Sequence, residues 1–184
     1  MCIRDRLSEF LETHAPHFSP PRLDRKAILH GHCHHKSLMK MTAEEAVLRR
    51  LGVDFHSPAP GCCGMAGSFG FEPDKYDVSI AIGEVELLPA VRQAPPDWLV
   101  IADGFSCREQ IAQGSPRRAL HLAEVLQMAL KGEDPSTAGS NPYPESALTR
   151  RREAELSQSM QRAGLGLGAL ALSGALLWKI SRNK

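Results

Sequence analysis

The stretch that decides the fold is PDWLVIADGFSCREQI, residues 96–111. It begins with an apolar run of strand length, turns at Asp-Gly and reaches Cys107. The residues after Cys107 carry apolar side chains at helical spacing. A buried strand, a turn and a helix are therefore predicted in that order, with a cysteine at the turn.

Two earlier stretches repeat this order. RKAILHGHC, residues 25–33, leads to Cys33 and to the helical pattern HKSLMKMTAEEAVLRRLG. GVDFHSPAPGCCG, residues 52–64, leads to Cys62 and Cys63 and to the helical pattern EPDKYDVSIAIGEVELLPAVRQA. Strands that alternate with helices predict an α/β fold with a parallel sheet and right-handed crossovers.

The cysteines mark the predicted ligand edge of this sheet. In such sheets the binding site lies outside the carboxyl ends of the strands, where Cys33, Cys62, Cys63 and Cys107 all fall. Four thiols suit zinc or an iron–sulfur cluster, because thiolates are soft ligands. The spacing is unusual, since neither CxxC knuckles nor a CxxCxxC run is present. Buried or redox-active thiols therefore remain the alternative to a metal site.

Glycines and histidines surround the predicted thiol site. Gly61, Gly64 and Gly67 allow the backbone to approach an inorganic group and to present N–H donors to sulfur. His32 and His34 flank Cys33, and we expect them to hydrogen-bond to sulfur. Metal ligation by one of these imidazoles is the alternative.

Composition narrows the classes of function. The chain has 184 residues, five cysteines, a formal net charge of +1 and 5% aromatic residues. Neither charge nor aromatic content favours nucleic-acid binding, and the charged amino terminus is not a secretory signal. No Ser–His–Asp or paired-carboxylate arrangement is recognisable, so we predict no catalytic residue in this chain.

The chain divides into four predicted segments. Residues 1–22 form an N-terminal fragment and linker, 23–132 the cysteine-rich domain, 133–149 a flexible linker and 150–184 a polar helix followed by an apolar helix. The opening MCIRDR resembles translated sequencing-adapter DNA, so we expect residues 1–6 to be artefactual and the chain to be the carboxyl-terminal part of a longer protein; a genuine charged terminus is the alternative. The uncharged run from Ala163 to Trp178 predicts a single membrane anchor, or else a helix docked on the domain or a partner.

Four motifs together resemble the cysteine-rich CCG domain: HGHCHHKSL, GCCGMAGSFGFE, PDWLVIADGFSCREQI and RALHLAEVL. More narrowly, they resemble the C-terminal segment of FAD-linked oxidase/iron–sulfur oxidoreductases of D-2-hydroxy acids. Related domains occur in the iron–sulfur subunits of glycolate oxidase and in the B subunit of heterodisulfide reductase. The resemblance covers roughly residues 25–130 and implies a Rossmann-like parallel sheet.

The resemblance also implies a ligand set. By it, Cys33, Cys62, Cys63 and Cys107 bind one [4Fe–4S] cluster. Gly104 stands where the wider family has the first cysteine of a CxxC motif. One thiol is therefore missing, which argues against the double, noncubane cluster of heterodisulfide reductase.

The implied function is electron transfer. The cluster would take electrons from FAD on a missing upstream domain that oxidises lactate, glycolate or 2-hydroxyglutarate, and pass them to an acceptor such as quinone. The expected location is the cytoplasmic face of the inner membrane, or the cytoplasm if the tail does not insert. One alternative is a zinc-stabilised interaction domain at a membrane, without enzymatic activity. Another is a thiol-redox enzyme that uses the adjacent, or vicinal, cysteines Cys62 and Cys63.

Overall fold

The computed structural model describes residues 6–59, 61–132, 142–148 and 150–163. The chain forms two units, which divide between residues 146 and 147. In the second unit residues 150–163 form an exposed helix, as the polar sequence predicts. Among the described residues, no helix combines the length and the apolar character needed to cross a membrane. The predicted apolar helix lies outside the described residues from position 164 onward, so it stays a prediction.

A parallel three-stranded sheet lies at the centre of the first unit. Its strands are β1 (Lys26–Leu29), β2 (Asp54–His56) and β3 (Leu99–Ile101), arranged in the order β2-β1-β3. Ala27 of β1 lies opposite Phe55 and Leu99 in the register. The central strand and β3 are apolar and buried, as expected for strands covered on both faces. The predicted α/β fold with a parallel sheet is thereby confirmed.

Helices cover the sheet. They are α1 (Leu7–His14), α2 (Thr42–Arg50), α3 (Tyr76–Gly83), α4 (Leu87–Gln93), α5 (Phe105–Gly114) and α6 (Leu122–Lys131). A five-residue π-helix (His35–Met39) follows β1, and a short 3₁₀ helix (Phe69–Phe71) follows the vicinal cysteines. Each strand is thus followed by a turn that begins a helical segment, and these turns carry the cysteines.

Two of the predicted helices are divided. The pattern over residues 72–94 predicts one helix, but α3 ends at Gly83 and α4 begins at Leu87. Pro89 explains the second boundary, because proline has no N–H and is tolerated in the first turn of a helix but not in its interior. The pattern after Cys33 is likewise divided at Lys40, whose φ of 62° lies outside the helical region.

β3 and the turn after it are hydrogen-bonded to the segment that leads into α6. The N–H of Leu120 donates to the Val100 carbonyl at 2.7 Å, and the Leu120 carbonyl accepts from Ala102 at 2.9 Å. Asp103 then accepts a hydrogen bond from the N–H of Leu122 at 2.8 Å. Since the first N–H groups of a helix lack partners within the helix, this carboxylate caps α6. Asp103 therefore fixes the turn between β3 and Cys107 against α6.

A buried ion pair holds residues from the predicted linker. The Arg117 Nε donates to Glu145 Oε1 at 2.6 Å, and both side chains are almost fully buried. The guanidinium also donates to the carbonyls of Pro95 and Trp98 and stacks over Tyr143 with 4.6 Å to the ring centroid. A buried guanidinium needs such partners, because an unpaired buried charge is very costly. Glu145 is thus a packed residue within the segment predicted as linker.

Candidate metal centre

The three strand ends bring the cysteines to one edge of the sheet. Cys33 follows β1, Cys62 and Cys63 lie in the loop after β2, and Cys107 lies in the first turn of α5. Because all three strands are parallel, these turns share the carboxyl edge. The sequence predicts this placement from the order of strands and cysteines alone.

The four thiols contact one another in a chain. Hydrogen bonds connect Cys63 both to Cys107 and to Cys62, and Cys62 also to Cys33. The charges of Cys33 and Cys62 also act on Cys107, so all four sulfurs lie near one another. Sulfur atoms from residues up to 74 positions apart along the chain (33 to 107) therefore meet at one place.

The four cysteines differ in exposure, which divides them into two pairs. Cys63 and Cys107 are 3% and 0% exposed and belong to the apolar core, whereas Cys33 is half-buried and Cys62 is exposed. We call Cys63 and Cys107 the inner pair, and Cys33 and Cys62 the outer pair. The site is therefore closed on the protein side and open to solvent on the other.

Hydrogen bonds set the charge of the inner pair. The Cys107 thiol donates to the Cys63 sulfur and lowers the pKa of Cys63 to about 6, against the opposing effect of burial. Backbone N–H groups of Met65 and Ala66 add to this stabilisation of the thiolate. The same donation, together with burial, raises the pKa of Cys107. The Cys63 sulfur is thus favoured as a thiolate, whereas the Cys107 thiol keeps its proton.

The outer sulfur of Cys62 has a different environment. Partial desolvation raises the pKa of Cys62, although the N–H of Gly64 donates to its Sγ at 3.3 Å. Lys36 reaches across from the segment after β1 and donates to the Gly61 carbonyl at 3.3 Å. This bond joins the loop of Cys33 to the loop of the vicinal cysteines and places a cation beside them.

Two glycines are required by close contacts. Gly64 has a φ of +91°, and a Cβ at this position would lie 2.0 Å from the carbonyl oxygen of Ser79 in α3. A Cβ at Gly104 would lie 3.1 Å from the Cys107 Sγ and 2.8 Å from the ring of His32. Gly104 therefore lies against the Cys107 thiol and the His32 ring.

The other predicted neighbours of the thiols differ in position. His32 lies against Gly104 and hence near Cys107, and burial lowers the pKa of its ring. His34 is exposed, and its carbonyl accepts a hydrogen bond from Ser37. A Cβ at Gly67 would meet no atom within 4 Å. The proposed hydrogen bonds from His34 and Gly67 to sulfur therefore stay predictions.

Sequence reasoning missed a buried acid–imidazole pair. Glu44 and His35 are 1% and 2% exposed, and Glu44 Oε2 lies 3.6 Å from His35 Nδ1. Within the described residues, both carboxyl oxygens of Glu44 and this ring nitrogen lack hydrogen-bond partners. Periodicity could have identified Glu44, because it precedes the buried Val47, Leu48 and Leu51 at helical spacing.

The chemistry of the donor set suits a sulfur-bound group. Throughout the described ranges, no three His, Cys, Asp or Glu side chains are arranged to hold one metal ion. Four thiols do converge, and backbone N–H groups point to two of them. A cluster bonds each ligand sulfur to a different iron, so its ligands lie further apart than hydrogen-bonded thiols. The thiols would have to separate to admit it.

Comparison with known proteins relates the chain to dehydrogenases. The chain is 32% identical over 100 residues to D-2-hydroxyglutarate dehydrogenase of Pseudomonas putida and 28% identical over 103 residues to that of Escherichia coli. It is 30% identical over 109 residues to the C subunit of the anaerobic glycerol-3-phosphate dehydrogenase of Escherichia coli. No family model matches the chain.

The matches cover more than half of this chain but little of the relatives. They span 53%, 55% and 59% of the chain, and 10%, 10% and 27% of the three relatives, respectively. The chain is thus similar to a small part of each of these proteins. The comparisons relate the chain to oxidoreductase enzymes, of which it corresponds to a part.

Proposed function

We propose that the chain is the iron–sulfur electron-transfer part of a flavin-linked dehydrogenase that oxidises a D-2-hydroxy acid. The observation that carries the proposal is the convergence of four thiols from three parallel strand ends. Four thiolates are the common ligand set of a [4Fe–4S] cluster. The names of the D-2-hydroxyglutarate dehydrogenases support the substrate class.

Four residues would hold the cluster: Cys33, Cys62, Cys63 and Cys107. When bound, the cluster supplies acceptance and release of single electrons. Ligation requires thiolates, so binding releases protons from the thiols. With a pKa of about 6, Cys63 is largely ionised at neutral pH, whereas Cys107 holds its proton until a ligand replaces it. We expect Cys63 to be the first inner sulfur to bind iron.

The surrounding backbone would stabilise the bound thiolates. N–H groups of Gly64, Met65 and Ala66 donate to the sulfurs of the vicinal cysteines. Hydrogen bonds to ligand sulfur draw off negative charge and tune the reduction potential. The N-terminal turn of α5 carries Cys107, where the helix dipole also favours a thiolate.

The reacting carbon of the substrate would meet flavin rather than this chain. We assign no catalytic residue to the described residues and place FAD on a separate domain or subunit, which is the electron donor. The acceptor in this proposal is a quinone. A location at the cytoplasmic face of the inner membrane stays part of the proposal, since it depends on the apolar run outside the described residues.

The test is metal analysis of the full chain purified without oxygen. We expect a brown protein with about four iron and about four sulfide per chain, the stoichiometry of a [4Fe–4S] cluster. Dithionite should bleach the visible absorption and produce an electron paramagnetic resonance signal. Colourless protein with stoichiometric zinc and no response to dithionite would contradict the proposal and favour a zinc-stabilised interaction domain.

Two serine variants test which cysteines hold the iron, one as the test and the other as its matched control. Cys63→Ser removes one inner sulfur and should lose most of the bound iron. Cys2→Ser removes the cysteine that is not among the proposed ligands and should retain the iron. Equal iron content in both variants would show that the iron is not held by the converging thiols.

A further inference from the structure

A buried glutamine connects α5 to α3. Gln110 lies in α5 and is 1% exposed. Its Nε2 donates to the Ser79 carbonyl in α3 at 2.9 Å and to the Ser79 hydroxyl oxygen at 3.3 Å. Because only the amide nitrogen can donate to a carbonyl oxygen, this contact fixes the orientation of the amide. The two helices are therefore joined by a directed polar contact inside the protein.

α5 is the helix that carries Cys107. Cys107 and Gln110 lie three residues apart on this helix, and both are buried. Residues at this spacing are neighbours on one helix face. A contact that holds Gln110 therefore also limits where the Cys107 thiol can lie.

α3 is the helix against which the loop of the vicinal cysteines packs. A Cβ on Gly64 would lie 2.0 Å from the Ser79 carbonyl oxygen, the same atom that accepts from Gln110. A Cβ on Gly83 would lie 3.0 Å from the Cys63 carbonyl oxygen and 3.2 Å from Gln110 Nε2. The glutamine amide and the backbone of the vicinal-cysteine loop thus contact the same part of α3.

Packing alone does not explain a glutamine at this position. Its Oε1 is buried and, among the described residues, has no hydrogen-bond partner. A buried acceptor without a partner lowers stability, and an apolar side chain of similar size would avoid this cost. What the glutamine contributes is the directed hydrogen bond to Ser79.

We propose that Gln110 is a positioning residue of the thiol site: its amide holds α5 against α3 and thereby sets where Cys107 lies relative to Cys63. The contact is present in the chain without metal, so the inference does not depend on which group the thiols bind. Its consequence for a bound cluster rests on the proposed function. Without the amide, we expect α5 to shift against α3 and the sulfurs to hold the cluster in a different geometry.

The first test is electron paramagnetic resonance of the iron-loaded full chain after reduction with dithionite. Gln110→Met removes the amide but keeps a flexible, unbranched side chain, and we expect the g-values of the cluster signal to shift. Gln113→Met makes the same substitution at an exposed position of α5 and should leave the signal unchanged. Glu145→Gln breaks a buried contact in another part of the domain, so it should lower stability without moving the g-values.

The second test is a double-mutant cycle on the metal-free chain, measured by urea unfolding. Gly64→Ala presses on the Ser79 carbonyl that Gln110 holds, so it should destabilise the chain less when Gln110→Met is also present. Gly67→Ala, whose Cβ would meet no atom within 4 Å, should destabilise the chain equally with and without Gln110→Met. If Gly64→Ala does not fold, Gly83→Ala takes its place in the cycle.

Additive losses of unfolding free energy in this cycle would overturn the inference. A cluster signal in Gln110→Met that matches the unsubstituted chain would overturn it as well, and so would an equal shift in Gln113→Met or Glu145→Gln. A chain that binds no iron would refute the proposed function, and the cycle alone would then decide whether Gln110 positions the loop.

Discussion

The carboxyl group of Glu44 faces the ring of His35 in the interior, with 3.6 Å between Oε2 and Nδ1. Burial, together with the charge of Asp103, raises the pKa of Glu44 to about 8. Burial lowers the pKa of His35, so the pair is neutral rather than ionic at neutral pH. The loop that carries Cys33 is thus attached to α2 through an uncharged buried contact.

Replacement of Glu44 should change how stability depends on pH. Between its unfolded pKa of 4.5 and its folded pKa of about 8, Glu44 holds a proton in the folded chain that the unfolded chain has released. The free energy of unfolding therefore falls as pH rises through this window, by up to about 1.4 kcal/mol per pH unit. Glu44→Gln cannot ionise and should lose this slope. Urea unfolding from pH 5 to 8.5 measures it.

The matched control is Glu45→Gln on the same helix. Glu45 is more exposed and pairs with Arg49 at 2.8 Å, so its removal should leave the slope in place. The low pKa of His30, about 4 because of burial, contributes an opposite slope between about pH 4 and 6.5 that is common to all variants. If the free energy of unfolding depended on pH in the same way in Glu44→Gln and in the unsubstituted chain, Glu44 would not be a buried neutral acid.

Gly64 should be far less tolerant of a side chain than Gly67. Both have positive φ, +91° and +69°, so alanine carries a conformational cost of about 1–2 kcal/mol at either position. Only at Gly64 would the added Cβ strike backbone, 2.0 Å from the Ser79 carbonyl oxygen. We expect Gly64→Ala to lower the free energy of unfolding by about 3 kcal/mol or more, beyond the conformational cost alone. Equal losses of unfolding free energy in the two variants would show that α3 lies further from the loop that carries Cys62 and Cys63.

The buried ion pair of Arg117 and Glu145 should contribute far more than a surface pair. Glu145→Gln leaves the buried guanidinium without its anionic partner, which typically costs about 3–5 kcal/mol. Glu84→Gln breaks the exposed pair with Arg92 and should leave thermal unfolding unchanged within error. Calorimetry of the two variants compares them directly, and a similar melting temperature for both would show that residues near 145 do not pack on the domain.

Lys36 should raise the reduction potential of the proposed cluster. A cation near the vicinal cysteines favours the more negative, reduced form. Lys36→Met keeps the aliphatic part of the side chain and should lower the reduction potential by about 30 mV. A tenfold change in the equilibrium constant of a one-electron couple corresponds to ~59 mV, so the expected shift is about half of that. Lys40→Met, an exposed lysine four residues further on, serves as the control in the same redox titration. A potential that is unchanged in Lys36→Met, or lowered equally in Lys40→Met, would place the cation too far from the sulfurs to act.

Helix boundaries show how far a local pattern predicts structure. The apolar spacing of residues 72–94 correctly indicates helix. The break between Gly83 and Leu87 depends on Pro89 and on the packing of Gly83 against the backbone of Cys63. The sequence does not reveal the burial of Glu44, because a glutamate next to a second glutamate resembles an exposed helix face. Its burial follows from contact with His35, which lies in a different element.

The sequence by itself determined the α/β fold and the edge at which the cysteines lie. Strand-length apolar runs, the turns after them and helical spacing are local patterns, and parallel strands carry their carboxyl ends to one side. Only the tertiary structure decided that Cys33 meets Cys62 and that Cys63 meets Cys107, and that Cys63 and Cys107 are buried while Cys62 is exposed. Pairing and burial depend on how loops from separate strands pack on one another, and no local pattern in the chain records those contacts.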